Sequence, residues 1–175
     1  MARVSLIRED EHPELADLIQ RFSAGRRGRL INIYRMLLNA PPLAESWFDH
    51  SNAVRWKTTL SGRLREIVII RVGHLAQCDY VLRQHVPLLA LADGLSIEEC
   101  DALSDWARSQ FFDPRERAAL AYADTMTRDI AVPDDVFAAV KRHFDDRQIV
   151  ELTVLIGSYN MNARVLRALE LDIEP

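Results

Sequence analysis

The spacing of apolar residues is the feature that most constrains the fold of this 175-residue chain. Apolar side chains recur every three or four positions along almost the whole sequence, and no useful stretch alternates apolar and polar residues. This period is typical of amphipathic α-helices and not of β-strands. We therefore expect a compact all-α fold of about nine helices. The predicted helices cover residues 11–23, 29–39, 42–57, 62–76, 78–92, 97–109, 114–129, 133–143 and 146–170.

Helix-start chemistry supports two of these boundaries. Ser96 and Glu99 have the spacing of a capping box, in which the hydroxyl and the carboxylate bind backbone N–H groups that have no partner inside the helix. Asp113 precedes Pro114 and Glu116, and this order also predicts a capped start. Within the predicted helix 78–92, Pro87 removes one backbone donor and predicts a kink.

Two segments are apolar on almost every side, residues 67–70 and 149–156. Helices of this kind belong in the centre of a bundle or in a subunit interface. A chain of this size has difficulty burying both segments alone, which is compatible with a homo-oligomer.

Composition bounds the class of protein. Apolar residues make up 49% and charged residues 27%, as in ordinary globular proteins, and no linker divides the chain, so residues 1–175 are predicted to form a single domain. The net charge of -4 argues against nucleic acid and anionic membranes as main partners.

Targeting and redox signals indicate a cytoplasmic protein. There is no apolar run of about 20 residues and no segment like a signal peptide. The chain has two cysteines, Cys78 and Cys100, which are too few for a secreted disulfide framework. A reducing cytoplasm is the default location for such a chain.

The stretch "QCDYVLRQH" (77–85) carries the chemistry. Cys78 precedes His85 by seven residues, almost two helical turns, so a helix would place both on one face. From the residues alone the pair fits a redox centre, an acid/base centre, a metal site or a piece of core. A metal site with His74 would lack a convincing fourth ligand, so no metal is expected.

The neighbourhood of this stretch resembles the alkylhydroperoxidase-D-like or carboxymuconolactone decarboxylase family. The resemblance rests on Glu66, twelve residues before Cys78, on Tyr80 and His85, and on the helix start "GLSIEE" (94–99). It implies the compact helical fold of that family, assembly as a trimer or hexamer, a small-molecule substrate, and neither metal nor organic cofactor.

One position departs from the family pattern. Redox members have a second cysteine three residues after the first, where this chain has Val81. Valine cannot form the reversible disulfide that those members use. The resemblance therefore favours a cofactor-independent acid/base enzyme, a decarboxylase or lactone-processing enzyme, in which His85 moves protons and Glu66 orients it. Cys78 and Tyr80 would line the pocket, and Arg71 or Arg83 would anchor a substrate carboxylate.

Two alternatives stay open. Cys78 could support a thiol-dependent peroxidase activity without the usual second cysteine, or the chain could be a non-catalytic binding or assembly protein on the same fold. The polar segment "SYNMNAR" (158–164), which interrupts the last apolar helix, is interpreted as capping or interface contacts and not as part of the catalytic site.

Overall fold

The computed structural model describes residues 2–174, and these residues form nine α-helices and no β-strand. The predicted all-α class is therefore confirmed. The helices are α1 (Ala16–Ala24), α2 (Asn32–Leu37), α3 (Pro41–Trp56), α4 (Gly62–Leu75), α5 (Asp79–His85), α6 (Ile97–Ala102), α7 (Pro114–Arg128), α8 (Asp134–Lys141) and α9 (Asp146–Ala168). None of the helices in the described part of the chain is both long and apolar enough to cross a membrane.

Both predicted capped helix starts are confirmed, and both are capping boxes. The Ser96 hydroxyl accepts from the backbone N–H of Glu99, whose carboxylate accepts from the N–H of Ser96, and α6 begins there. Asp113 and Glu116 make the same reciprocal pair at the start of α7. These bonds satisfy donors that would otherwise have no partner, which is why the helices begin at these residues.

Two predicted helices are interrupted. Residues 78–92 form α5 followed by a π-helical turn, Val86–Ala90, because Pro87 has no N–H to donate to the preceding turn. Residues 97–109 form α6 followed by a 3-10 segment, Leu103–Arg108, inside which Asp105 leaves helical geometry. The predicted kink at Pro87 thus takes the form of a wider turn directly after His85.

The chain divides into two compact units. The first consists of the chain up to Ala53 together with the segment from Val165 onward. Its core contains the rings of Phe22, Tyr34 and Phe48, whose centroids lie 4.7–5.4 Å apart. The Arg26 guanidinium packs over Tyr34 and Phe48 and donates to the Tyr34 hydroxyl at 2.6 Å.

The second unit runs from Val54 to Arg164 and is built around α4. Every residue of α4 from Leu64 to Gly73 is buried, and the helix packs against α5 and α7. The apolar segment 67–70 therefore lies in the centre of the unit, one of the two places predicted for it. A core cluster is formed by Ile67, Ile70, Ala90, Leu95, Cys100, Leu103, Phe112 and Leu120.

A tight joint connects α4 to α5. Gln77 has a left-handed φ of 50°, and the backbone N–H of Cys78 donates to the Gly73 carbonyl at 2.9 Å. A Cβ at Gly73 would come within 2.9 Å of the Leu82 side chain, so glycine allows the two helices to approach closely. This joint holds α5, and with it His85, against α4.

The second apolar segment, 149–156, behaves differently. Leu152, Leu155 and Ile156 are fully buried, whereas Val150 and Val154 are 62% and 43% exposed. The exposed positions continue along the same side of α9 to Met161.

Candidate functional site

The centre of the candidate site is a hydrogen bond between Glu66 on α4 and His85 at the end of α5. Oε2 of Glu66 lies 2.6 Å from Nδ1 of His85. Glu66 has no exposed surface, and His85 is 6% exposed. A buried carboxylate requires partners, because removing it from water without them is strongly unfavourable. The sequence-predicted pair therefore meets inside the second unit.

Two arginines hold the other oxygen of Glu66. Nη2 of Arg55, from the last turn of α3, donates to Oε1 at 3.2 Å, and Nε of Arg65 lies 3.9 Å from the same oxygen. Arg65 also donates through Nη2 to Asp93 at 2.9 Å. Gly62 makes room for Asp93, since a Cβ there would lie 2.1 Å from its carboxylate.

These neighbours set the protonation of the pair. Burial opposes ionisation of Glu66, but His85, Arg55 and Arg65 together lower the pKa of its carboxyl below the ordinary value. Burial lowers the pKa of His85, and the two arginines act in the same direction. Glu66 is therefore a carboxylate and His85 a neutral ring near pH 7. In that state Nδ1–H donates to Glu66, and Nε2 carries a lone pair.

Tyr159 on α9 is a site residue that the sequence analysis missed. Its hydroxyl lies 3.3 Å from Nε2 of His85, and the two rings meet edge to face with centroids 5.3 Å apart. Tyr159 belongs to the segment interpreted as capping or interface contacts. The only signal in the sequence was a tyrosine on a helix otherwise rich in apolar residues. Its distance of 74 residues from His85 gave no reason to pair them.

Cys78 and Tyr80, two other residues that carried the family resemblance, lie at the start of α5 and are buried. Cys78 occupies the position just before α5 and is 2% exposed, and Tyr80 in the first turn is 6% exposed. Val81, at the second-cysteine position of redox relatives, is buried at 4% exposure. No disulfide joins Cys78 and Cys100.

The two arginines predicted as carboxylate anchors are placed differently from each other. Arg71 is buried and makes four hydrogen bonds, two to the Asp124 carboxylate at 2.5 and 2.7 Å and two to the carbonyls of Leu103 and Ser104 at 2.9 and 2.8 Å. The N–H groups of the Arg71 guanidinium are therefore already bonded to acceptors within the protein. Arg83 is exposed on α5.

Within residues 2–174 there is no group of three or more His, Cys, Asp or Glu side chains arranged to hold a metal ion. Burial lowers the pKa of His74, and burial followed by the nearby Asp101 carboxylate raises the pKa of Cys100 to about 11. Cys100 is a protonated core thiol at neutral pH.

Comparison with known proteins identifies a matching family and similar proteins. Residues 41–125 match the model of the carboxymuconolactone decarboxylase family. The uncharacterized protein YnjA of Escherichia coli K12 is 30% identical over 121 residues, which are 69% of this chain and 66% of YnjA. The chain thus spans slightly less than two thirds of YnjA.

Several solved structures are also similar to this chain. An Agrobacterium tumefaciens protein of unknown function, described as a putative antioxidant defence protein AhpD, is 26% identical with a TM-score of 0.75, over 79% of this chain and 95% of its own. The debrominase Bmp8 in its apo form is 20% identical with a TM-score of 0.81, over 98% of this chain and 91% of its own. At 20% identity, the likeness between Bmp8 and this chain concerns the fold alone.

Proposed function

Because the chain belongs to the carboxymuconolactone decarboxylase family, we propose that it is a cofactor-independent acid/base enzyme acting on a small carboxylated substrate, as a decarboxylase or lactone-processing enzyme. The observation that carries the proposal is the buried Glu66–His85 pair, with Nδ1 and Oε2 2.6 Å apart. A carboxylate behind an imidazole fixes its tautomer and increases its basicity.

His85 is the proton carrier in this proposal. The Tyr159 hydroxyl lies 3.3 Å from Nε2, a long contact, so a substrate group can approach the same nitrogen beside the hydroxyl at small cost. Nε2 then accepts a proton from the substrate, and the Glu66 carboxylate stabilises the imidazolium that forms. The same nitrogen returns the proton to a different carbon, which shifts a double bond, or to the carboxylate that leaves when the ring C–O bond of a lactone breaks by β-elimination.

Decarboxylation uses the protonated ring. The bond between the substrate carbon and its carboxylate breaks, CO2 leaves, and the electron pair moves into an adjoining carbonyl as an enolate. The carbon then takes the proton from Nε2, and solvent reprotonates the ring for the next turnover. Glu66 stays ionised throughout, and the electrostatic stabilisation of the imidazolium is its contribution.

A test compares CO2 release from a panel of small carboxylated lactones by the wild type, His85→Gln and Cys78→Ser. The proposal expects loss of turnover in His85→Gln and retention in Cys78→Ser. His143→Gln is the matched control, because His143 is exposed in the same unit. Turnover that survives His85→Gln contradicts the proposal, and no turnover on any panel member supports a non-catalytic binding protein instead.

The second candidate is a thiol-dependent peroxidase, favoured by Cys78 at the first-cysteine position and by the description of the Agrobacterium relative. Its thiolate would attack a peroxide oxygen, releasing an alcohol and leaving a sulfenic acid that an external thiol must reduce. Val81 supplies no second thiol, and the raised pKa of Cys100, about 11, makes it a poor resolving nucleophile. Peroxide consumption that requires Cys78 would support this candidate.

We also propose that the protein is a homo-oligomer through the exposed apolar side of α9. Val150, Val154 and Met161 are 62%, 43% and 38% exposed along that side, and such a stripe normally marks a contact surface. Light scattering of the wild type and of Val154→Lys tests the idea, with a smaller particle expected for the variant.

A further inference from the structure

Two guanidinium groups with little exposed surface stand beside Oε1 of Glu66, the carboxylate oxygen that does not contact His85. The side chains of Arg55 and Arg65 are 11% and 8% exposed. Arg55 contacts Glu66 through Nη2 at 3.2 Å, and Arg65 contacts Asp93 through Nη2 at 2.9 Å. The cluster of Arg55, Arg65, Glu66 and Asp93 thus has two basic and two acidic side chains.

The donors of this arginine pair exceed the acceptors around them. A guanidinium has five N–H donors, yet within residues 2–174 Arg55 and Arg65 each donate one hydrogen bond. Nε of both is buried and has no hydrogen-bond partner in that range. Arg71, whose side chain is 6% exposed, makes four hydrogen bonds. Buried polar groups are nearly always satisfied, so the pair lacks an acceptor that Arg71 has.

Trp56 connects the arginine pair to the surface. The Arg55 and Arg65 guanidinium carbons lie 4.7 and 5.1 Å from the centre of its ring, and Trp56 is itself 58% exposed. A cation–π contact with this ring stabilises both guanidiniums without providing a hydrogen-bond acceptor for them. A flat apolar face and two donor-rich cations are thus next to each other.

We propose that Arg55 and Arg65 form an anion subsite that takes the carboxylate of a small planar substrate, with Trp56 against the apolar part of that substrate. This inference rests on the proposed function, in which His85 acts on such a substrate. A guanidinium matches a carboxylate in shape and forms charge-assisted hydrogen bonds with it. The anchor is then this pair beside Glu66, and neither Arg71 nor Arg83.

Anion binding at this subsite is coupled to the protonation of His85. The groups that face His85 are Glu66, Tyr159 and, through charge, Arg55 and Arg65. The two arginines disfavour a proton on the ring, and a bound carboxylate offsets their charge. Binding therefore takes up a proton and becomes tighter as the pH falls toward the pKa of His85.

The test uses benzoate as the probe and benzamide as its neutral match, measured by calorimetric titration of the full chain. The wild type is expected to bind benzoate, not benzamide. Arg55→Gln should weaken benzoate binding about tenfold to a hundredfold, the usual effect of a lost hydrogen bond to a charged group. Arg108→Gln is the matched control, because the Arg108 side chain is 89% exposed.

Several outcomes overturn the subsite. Equal binding of benzamide, no binding of benzoate, or a loss of binding in Arg83→Gln with Arg55→Gln unaffected would each do so. If Arg55→Gln fails to fold, the Nε–H signals of Arg55 and Arg65 in the wild type replace it, and a benzoate-induced shift of both is required. Benzoate binding is measured without turnover, so in His85→Gln it persists even if the acid/base proposal fails.

Discussion

Nδ1 of His85 lies 2.6 Å from Oε2 of Glu66, and neither side chain is reached by solvent to any large extent. The carboxylate is shared, because its second oxygen accepts from Arg55 at 3.2 Å. Glu66 thus contacts the neutral imidazole of His85 through one oxygen and the guanidiniums of Arg55 and Arg65 through the other. The positive charge of Arg55 already balances the negative charge of Glu66. A neutral His85 is therefore compatible with an ionised Glu66.

Replacing Glu66 with glutamine removes this shared charge without changing the size of the side chain. We expect Glu66→Gln to lower the free energy of unfolding by about 3 kcal/mol, because the buried arginine charge beside it loses its counter-ion. Turnover should fall by about a hundredfold or more, since the imidazolium is no longer stabilised. Denaturant unfolding and steady-state kinetics measure the two effects. A variant as stable and as active as the wild type would show that the pair is incidental.

Tyr159→Phe keeps the ring against His85 and removes only the hydroxyl 3.3 Å from Nε2. We expect turnover to fall about tenfold or more, because Tyr159 helps to move the proton at that nitrogen. Tyr122→Phe is the matched control: this buried tyrosine in the same unit bonds Thr153 at 2.9 Å. Both variants should lose at most about 1 kcal/mol of stability. Equal kinetics in the two variants would contradict a role for Tyr159.

The pH dependence of stability follows from the lowered pKa of His85. The unfolded chain takes up a proton near the ordinary value of 6.5, whereas the folded ring, disfavoured by burial, does so only at lower pH. The unfolded state therefore binds more protons in this window, and stability falls as the pH falls through it. Glu66, whose pKa is lowered from 4.5, adds a second fall at more acidic pH.

Unfolding measured in denaturant between about pH 5 and 7.5 checks the first fall. His85→Gln should remove much of the slope in that range. Part of it should remain, because burial also lowers the pKa of His74. A slope unchanged by His85→Gln would mean that the folded ring titrates like an exposed histidine.

The fold and half of the site could be predicted from the sequence. Helix periodicity and two helix-start signals located most helices, since these signals are local. Glu66 and His85 were found because α4 and α5 are consecutive and their spacing resembles a family pattern. Tyr159 and Arg55 were not, because they come from α9 and the end of α3 and meet the pair only through packing. Pro87 predicted a kink, but not that it would be a π-helical turn.

The two cysteines should differ in their contribution to function. Burial raises the pKa of Cys100 to about 11, so at pH 8 only about one thiol in a thousand is ionised. We expect iodoacetamide to label Cys100 only after unfolding, as peptide mass spectrometry would show. Cys78→Ser should change turnover by no more than about twofold under the acid/base proposal. Loss of activity in that variant, with its fold retained, would favour thiol chemistry.

Arg71 should act on stability and not on substrate binding. Its side chain is 6% exposed and is bonded to Asp124 and to two backbone carbonyls. Arg71→Lys loses the bidentate contact and leaves buried acceptors unsatisfied, so we expect a loss of about 3 kcal/mol in the free energy of unfolding. Arg83→Gln, an exposed change on α5, should stay within about 0.5 kcal/mol of the wild type.

Below the unfolding transition, both variants should keep the wild-type KM for a carboxylated substrate, because the carboxylate is held by Arg55 and Arg65. A KM that rises in the folded Arg71→Lys protein would indicate that Arg71, and not the pair Arg55 and Arg65, binds the substrate carboxylate.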